Sequence, residues 1–120
     1  MRLISTLVAA GAVALLAAAP AVPMSHPKLI GTVGPGFTIT LKRVRATVPV
    51  RSVKPGLYTF VVSDRSSIHN FEIEGPGLDR AITTVGATGP KTVTLRLRHG
   101  TYKYYCKPHE STMHGSFKVT

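Results

Sequence analysis

The final part of the chain reads "TVTLRLRHGTYKYYCKPHESTMHGSFKVT" (residues 92–120), and two patterns run through it. Apolar and polar residues alternate in "TVTLRLR", so its Val and Leu side chains lie on one face of an extended segment. In "TYKYYC" the same rule puts Tyr102, Tyr104 and Cys106 on one face, opposite Lys103 and Tyr105. These patterns predict two half-buried strands, with the thiol of Cys106 pointing inward at the end of the second.

Short alternating runs of this kind recur throughout the chain after Pro27. They are rich in Val, Ile, Thr, Tyr and Phe and are separated by Gly and Pro, which favour chain reversals. No segment there has the periodicity of a helix. The pattern predicts an all-β sandwich or barrel of about eight strands, at residues 29–33, 37–43, 57–63, 69–74, 81–84, 92–98, 102–106 and 116–120.

The N-terminal segment has a different composition. A positive start at Arg2 is followed by an uncharged apolar run over 3–19, and "Ala19-Pro20-Ala21" fits the small-x-small rule for cleavage. We expect a secretory signal peptide at 1–21, a short linker at 22–27 and one domain at 28–120. General secretion would deliver the protein to the periplasm or the exterior. The alternative is an uncleaved membrane anchor, because the run is at the lower edge of a membrane-spanning length.

The charge balance is strongly basic, with 15 Lys and Arg against 5 Asp and Glu and a net charge of +10. Such an excess favours association with acidic proteins or with an anionic envelope surface. A solvated basic face without a partner is the alternative. Nucleic acid is not an expected partner, because an exported chain without an aromatic and basic platform does not fit that role. The densest basic cluster contains Lys42, Arg43, Arg45, Arg51 and Lys54.

The one cysteine lies beside other potential metal ligands. An exported protein usually pairs its cysteines, so a solitary thiol needs protection. Cys106, His109 and Met113 share one loop, and a thiolate, an imidazole and a thioether together suit copper. A trigonal copper site needs a second histidine, and His69 is the best candidate because it follows the loop "DRSS". Without these neighbours, Cys106 would more often be an inert buried thiol.

Strand parity supports His69. In "HNFEIE" it places His69 on the inner face with Phe71, and leaves Asn70, Glu72 and Glu74 on the outer face. A lone inward histidine is more often a hydrogen-bonded core residue, so the loop after Cys106 decides the interpretation. The remaining histidines fit less well: His26 and His99 are expected in solvent, and His114 is an alternative axial ligand to Met113.

Two segments resemble those of a known family. "SSIHNFEI" resembles the first-ligand segment of plastocyanin, and "YYCKPHESTMHGSFKV" resembles its Cys-x-Pro-His loop leading through Met to Gly and the last strand. The chain thus resembles a small cupredoxin of the plastocyanin and amicyanin group, over about 28–120. The resemblance implies a Greek-key β-sandwich with one blue copper ion. The implied ligands are His69, Cys106, His109 and Met113.

The resemblance also implies supporting residues. Asn70 matches the cupredoxin asparagine that ties the two ligand segments together by hydrogen bonds. Pro108 has no N–H to donate to the thiolate, which affects the reduction potential. The spacer "EST" between His109 and Met113 is shorter than in plastocyanins and longer than in amicyanins. This spacer length does not determine the distance from copper to the sulfur of Met113.

Two routes for electrons follow from the resemblance. His109 would present its ring edge at the surface among apolar residues. Tyr105 matches the aromatic residue of the second plastocyanin route, but here it lies between Lys103 and Lys107 rather than in an acidic region. A redox partner at this place should therefore present an acidic docking surface.

We expect an exported, monomeric type 1 copper protein that carries one electron at a time between redox partners. The alternative is an extracytoplasmic protein for copper buffering or delivery, which would need the same ligands. A plain β-sandwich adhesion module with an accidental ligand set is a third interpretation. An enzyme is not expected, because a closed four-ligand site leaves no coordination position for a substrate.

Overall fold

The structure is a computed structural model that describes residues 3–4, 6–19 and 25–120. The positive start at Arg2 and the expected cleavage point at Ala21 lie outside these residues. Residues 6–19 form neither helix nor strand and are exposed. Within the described ranges, no helix has the length and apolar character needed to cross a membrane.

The domain is built from β-strands, as the alternation predicted. One short 3₁₀ helix, Lys107–His109, interrupts them. The nine strands of the described residues are β1 (Lys28–Val33), β2 (Ile39–Arg43), β3 (Ser52–Val53), β4 (Gly56–Asp64), β5 (Glu72–Gly75), β6 (Leu78–Ala81), β7 (Gly89–Leu97), β8 (Gly100–Tyr105) and β9 (His114–Val119).

The strands form two sheets, with the orders β2-β1-β4-β7 and β3-β9-β8-β5-β6. The pairs β1–β4 and β3–β9 are parallel, and the other pairs are antiparallel. The chain repeatedly passes from one sheet to the other, and β4 returns beside β1 rather than beside β3. This arrangement confirms the predicted all-β sandwich with Greek-key connections.

The core lies between the inner faces of the two sheets. Ring pairs line it on the side of the second sheet, with centroids 5.8 Å apart for Phe71 and Tyr104 and 5.6 Å apart for Tyr102 and Phe117. Leu97 of β7 is buried as its alternation predicted. Burying each large apolar side chain contributes about 1.5–3 kcal/mol, so this core holds the two sheets together.

Besides shifts of up to three residues at the ends of other strands, the predicted strands differ from the observed ones at three places. β3 has only two residues, Ser52–Val53, and is too short to show alternation. β5 begins at Glu72 rather than at residue 69, because the segment before it turns to bring His69 inward. β6 ends at Ala81, because residues 82 and 83 instead donate their backbone N–H groups to the carbonyl of Phe71.

The two ends of the sandwich carry different residues. The carboxyl ends of the parallel strands β1 and β4 meet at one end, where the Arg65 N–H donates to the Val33 carbonyl at 2.9 Å. Cys106 follows β8 at the same end, which we call the thiol end. β2 finishes at the opposite end, called here the far end, where β3 pairs with the last residues of β9.

Candidate metal centre

A tight turn after β4 directs His69 into the protein. The Asp64 carboxylate accepts the Ser66 N–H at 3.1 Å, and the His69 N–H donates to the Ser66 carbonyl at 3.3 Å. The His69 side chain is fully buried. A Cβ atom added at Gly34, where φ is +72°, would lie 3.3 Å from Cδ2 of His69. The approach of this loop to the imidazole therefore requires glycine at that position.

The loop after β8 closes on itself and supplies three of the predicted ligands. The Cys106 N–H donates to the Met113 carbonyl at 3.0 Å, and the Met113 N–H donates to the His109 carbonyl at 2.8 Å. Pro108 lies in the 3₁₀ helix, where its missing N–H costs no backbone hydrogen bond. Cys106 and Met113 are fully buried, whereas His109 is half-buried.

Three donor atoms from the two segments meet at the thiol end. Cys106 Sγ lies 3.7 Å from Nδ1 of His69 and 3.6 Å from Nδ1 of His109. The two Nδ1 atoms are 3.1 Å apart. Two imidazole nitrogens that bind one transition-metal ion at about 2.0 Å each are separated by about 3 Å, and a thiolate at about 2.3 Å lies slightly farther from them. The triangle therefore has the size that one bound ion requires.

The ring nitrogens are oriented for this use. Both Nδ1 atoms face the sulfur, and each has a lone pair when its proton sits on Nε2. Nε2 of His69 is buried and has no hydrogen-bond partner in the described part of the chain. Within the described residues, His69, Cys106 and His109 are the group of His, Cys, Asp and Glu side chains close enough to share an ion. A thiolate with two imidazoles is a donor set that suits copper.

Phe37 covers the two histidines, and sequence reasoning missed it. Its ring centroid lies 5.2 Å from that of His69 and 5.0 Å from that of His109, edge to face with both. Phe37 is 59% exposed, so it forms the protein surface directly above the imidazoles. The one available signal was its position after the turn "GPG" at 34–36, because that turn ends β1 at the thiol end.

Asn70 joins the two ligand segments. Its Oδ1 accepts the N–H of Lys107 at 2.7 Å, and its Nδ2 donates to the carboxylate of Glu72 at 3.3 Å. Parity placed Asn70 and Glu72 on the outer face, but they are only 3% and 6% exposed. Residues 69–71 are not in a strand, and Tyr105 covers Glu72, so the expectation that these two side chains lie outside is wrong.

Tyr105 lies beneath the surface rather than at it, with 6% of its area exposed. Its hydroxyl donates to Glu72 at 2.8 Å and can also reach Glu74 at 3.2 Å. Burial raises the pKa of Tyr105 most, and the hydrogen bond and negative charge of Glu72 raise it further. Lys103 Nζ lies 4.5 Å from the centre of the Tyr105 ring and pairs with Glu110, while Lys107 is exposed.

The other histidines lie away from the donor triangle. His114 is exposed, and its Nδ1 donates to the Glu110 carbonyl at 2.8 Å. The neighbouring Met113, just before β9, is buried instead and continues the alternation of that strand. His99 is exposed and His26 is partly exposed, and neither belongs to the metal-binding group.

The sequence profile of the copper-binding proteins of the plastocyanin/azurin family matches residues 47–120. Among solved structures, auracyanin A, a "blue" copper protein from Chloroflexus aurantiacus, has a TM-score of 0.54 and 18% identity, over 80% of this chain and 100% of its own. Rusticyanin from Thiobacillus ferrooxidans has a TM-score of 0.53 and 20% identity, over 78% and 76%. At such identities these structures show a common fold.

No curated protein matches the chain at a significant level. The profile nevertheless covers most of the domain, including both segments that supply the donor triangle. The chain therefore belongs to the plastocyanin/azurin family of copper-binding proteins, with one site suited to a single copper ion.

Proposed function

We propose that this protein is a type 1 copper protein that carries single electrons between redox partners, with His69, Cys106, His109 and Met113 as ligands. The observation that carries the proposal is the donor triangle, in which a buried thiol lies 3.6 and 3.7 Å from two imidazole nitrogens. Family membership supports it, because cupredoxins are typically electron carriers rather than enzymes and work with redox partner proteins.

Bound copper supplies a one-electron change between Cu(I) and Cu(II). The chain's own contribution is to hold the donors in place and to exclude water. His69, Cys106 and Met113 are fully buried, and the hydrogen bond from Lys107 to Asn70 fixes one ligand segment against the other. A frame held in this way need not rearrange between oxidation states, which favours rapid electron exchange.

Electrons would enter and leave through His109. This ring is the one partly exposed member of the donor triangle, and the exposed Phe37 adjoins it. A partner that docks on this apolar surface comes within one side chain of the metal. The second proposed route passes through Tyr105 and requires an acidic partner beside Lys103 and Lys107. Since Tyr105 is covered, such a partner would contact Lys103 before the ring.

The domain plan forms part of the proposal. Among the residues that the structure describes, the buried apolar side chains of the core fall between Leu29 and Val119, which supports one folded domain at 28–120. A signal peptide at 1–21 and a linker at 22–27 would place this domain outside the cytoplasm, where we propose that it is a monomer. The N-terminus of the exported protein, read by mass spectrometry, distinguishes a cleaved signal peptide from a retained anchor.

Electron transfer and copper delivery are separated by one experiment. The copper-loaded protein is reduced with ascorbate and reoxidised with ferricyanide through repeated cycles, in the presence of a Cu(I) chelator too large to enter the site. A carrier keeps its copper and recovers its full visible absorption after each cycle. Loss of copper to the chelator in the first reduced phase would favour delivery and would contradict the carrier function.

A further inference from the structure

The far end of the sandwich carries a group of exposed basic side chains that the copper site does not use. Residues 28–63 contain no Asp or Glu. The one ion pair within the described residues, Lys103 with Glu110, is elsewhere, so these cations face solvent. We call this surface the basic face, and its members are Lys28, Arg43, Arg45, Arg51, Lys54 and Lys118.

Strand pairing from both sheets brings the basic face together. In the first sheet, Leu29 pairs with Arg43, which places the start of β1 beside the end of β2. In the second sheet, Ser52 pairs with Lys118, and the Lys118 N–H donates to the Arg51 carbonyl at 2.9 Å. The guanidinium of Arg43 donates to the Ser52 carbonyl at 2.6 Å and bridges the two sheets. The charges are therefore held on a fixed frame.

Apolar side chains project from the same surface. Val44 and Val48 are 52% and 62% exposed, and they lie in the loop that carries Arg45. Arg43 and Arg51 flank Val48 around a shallow groove of about 260 Å³. Exposed aliphatic side chains surrounded by Arg and Lys are the composition of surfaces that rest on a bilayer, because the apolar groups enter the headgroup region while the cations meet lipid phosphates.

The chain enters the domain at this same end. The Pro27 carbonyl accepts the N–H of Thr59 at 2.9 Å, and Lys28 is the first residue of β1. The apolar run over 3–19 precedes this point in the sequence. If this run is the signal peptide proposed above, the segment that enters the membrane during export joins the domain beside the basic face.

We propose that the basic face binds the surface of an anionic phospholipid bilayer, with Val44 and Val48 at headgroup level and the thiol end directed away from the membrane. Charge complementarity and the position of chain entry support a lipid partner. An acidic protein fits less well, because strong protein interfaces bury apolar anchors in closed pockets, whereas these valines project from an open loop. This proposal goes beyond electron transfer and does not depend on the identity of the copper ligands.

Vesicle binding tests the proposal. The exported protein is floated with vesicles of equal parts phosphatidylglycerol and phosphatidylcholine, and with vesicles of phosphatidylcholine alone. We expect binding to the anionic vesicles, weakened by added salt, and little binding to the neutral ones. Equal binding to both kinds of vesicle would overturn the proposal, because binding would then not depend on the charge of the lipid.

Charge-matched variants locate the surface. Arg45→Gln, Arg51→Gln and Lys54→Gln together remove three charges from the basic face. Each cation near an anionic surface contributes about a factor of five, so binding should fall roughly a hundredfold. The control variant removes three exposed charges elsewhere, and its binding to anionic vesicles should fall less than about threefold. Equal losses of binding in the two variants would overturn the proposal. The control set is Arg65→Gln, Arg80→Gln and Lys91→Gln.

A fluorescent reporter tests the orientation. The chain has no tryptophan, so one introduced indole reports a single position. With anionic vesicles, emission from Val48→Trp should shift to shorter wavelength, while emission from Val85→Trp, in a loop at the thiol end, should not move. A shift at position 85 alone would contradict the membrane assignment. The assignment would also be contradicted if the protein bound no vesicles and the basic-face variant instead lost binding to an acidic redox protein.

Discussion

The Oδ1 atom of Asn70 accepts the backbone N–H of Lys107 at 2.7 Å, and this bond joins the two segments that supply the proposed copper ligands. Asn70 follows His69 directly, and Lys107 follows Cys106 directly. The amide of Asn70 is held in turn by the buried carboxylate of Glu72. The spacing between thiolate and imidazole therefore depends on a polar network that contacts neither donor atom.

Replacement of Asn70 tests this network. Asn70→Ala leaves the part-buried N–H of Lys107 and one buried oxygen of Glu72 without their partner, and the loss of a buried partner costs about 1–3 kcal/mol. We expect the free energy of unfolding in urea to fall by about 2–4 kcal/mol, with a broader visible band from the copper protein. Ser116→Ala, at an exposed position of β9, is the control and should change neither. A fully stable Asn70→Ala protein would show that the network is unnecessary.

The pH dependence of the free energy of unfolding tests the role of the Tyr105 hydroxyl. Its pKa is raised by burial and by Glu72, so the folded protein keeps the phenolic proton at a pH where the unfolded chain loses it. The hydroxyl's contribution to stability is thus complete below the ordinary tyrosine pKa of about 10 and decreases as pH rises above it.

Tyr105→Phe should therefore lower the free energy of unfolding by about 1–3 kcal/mol at neutral pH, because Glu72 loses a buried donor. The difference between wild type and variant should shrink above about pH 10. Tyr58→Phe, whose hydroxyl donates to a backbone carbonyl, serves as the control for removing a buried phenol. A difference that grows with pH would contradict the assigned direction.

Much of the fold could be predicted from local alternation, and the rest depended on long-range contacts. The pattern in residues 92–98 predicted which side of β7 is buried, because each side chain's face follows from its neighbours. β3 could not be predicted, since two residues carry no period and only pairing with β9 makes them a strand. Glu72 looked solvent-exposed because parity cannot show that Tyr105 from another strand covers it.

The candidate site could also be predicted only in part. The types and spacing of Cys106 and His109 predicted two members of the donor triangle, and Met113 is proposed as a ligand on the same grounds. Strand parity predicted the inward direction of His69, although residues 69–71 are not in a strand. Phe37 could not be found in this way, because its contact with both imidazoles depends on how the turn after β1 folds over the thiol end. Sequence patterns predicted the donor atoms of the triangle but not the Phe37 ring that lies over its two imidazoles.

Phe37 should slow the loss of copper. Phe37→Ala removes the ring that contacts both imidazoles, and edge-to-face pairs are worth about 0.5–1.5 kcal/mol each. We expect a strong chelator to bleach the variant about tenfold faster than the wild type. Ile68→Ala removes an exposed apolar residue next to His69 and is the matched control. Equal bleaching rates in all three proteins would mean that Phe37 does not protect the site.

The axial position separates Met113 from His114. Met113→Leu removes a sulfur donor from the proposed axial position. This loss destabilises Cu(II) less than loss of the thiolate would, but it still raises the reduction potential. We expect an increase of at least about 60 mV, equivalent to a tenfold change in relative affinity for the two oxidation states. His114→Ala should leave the potential unchanged, because that ring is exposed and bonded to Glu110. The opposite pattern would make His114 the axial ligand.

The visible spectrum of the purified protein with one equivalent of Cu(II) is the most direct test of a copper thiolate centre at Cys106. We predict an intense band towards the red end that saturates at one copper per chain. The band should be lost in Cys106→Ala and retained in the His99→Ala control, since His99 is exposed and lies outside the donor triangle. A colourless wild-type protein, or an intense band that persists without Cys106, would contradict a copper thiolate centre.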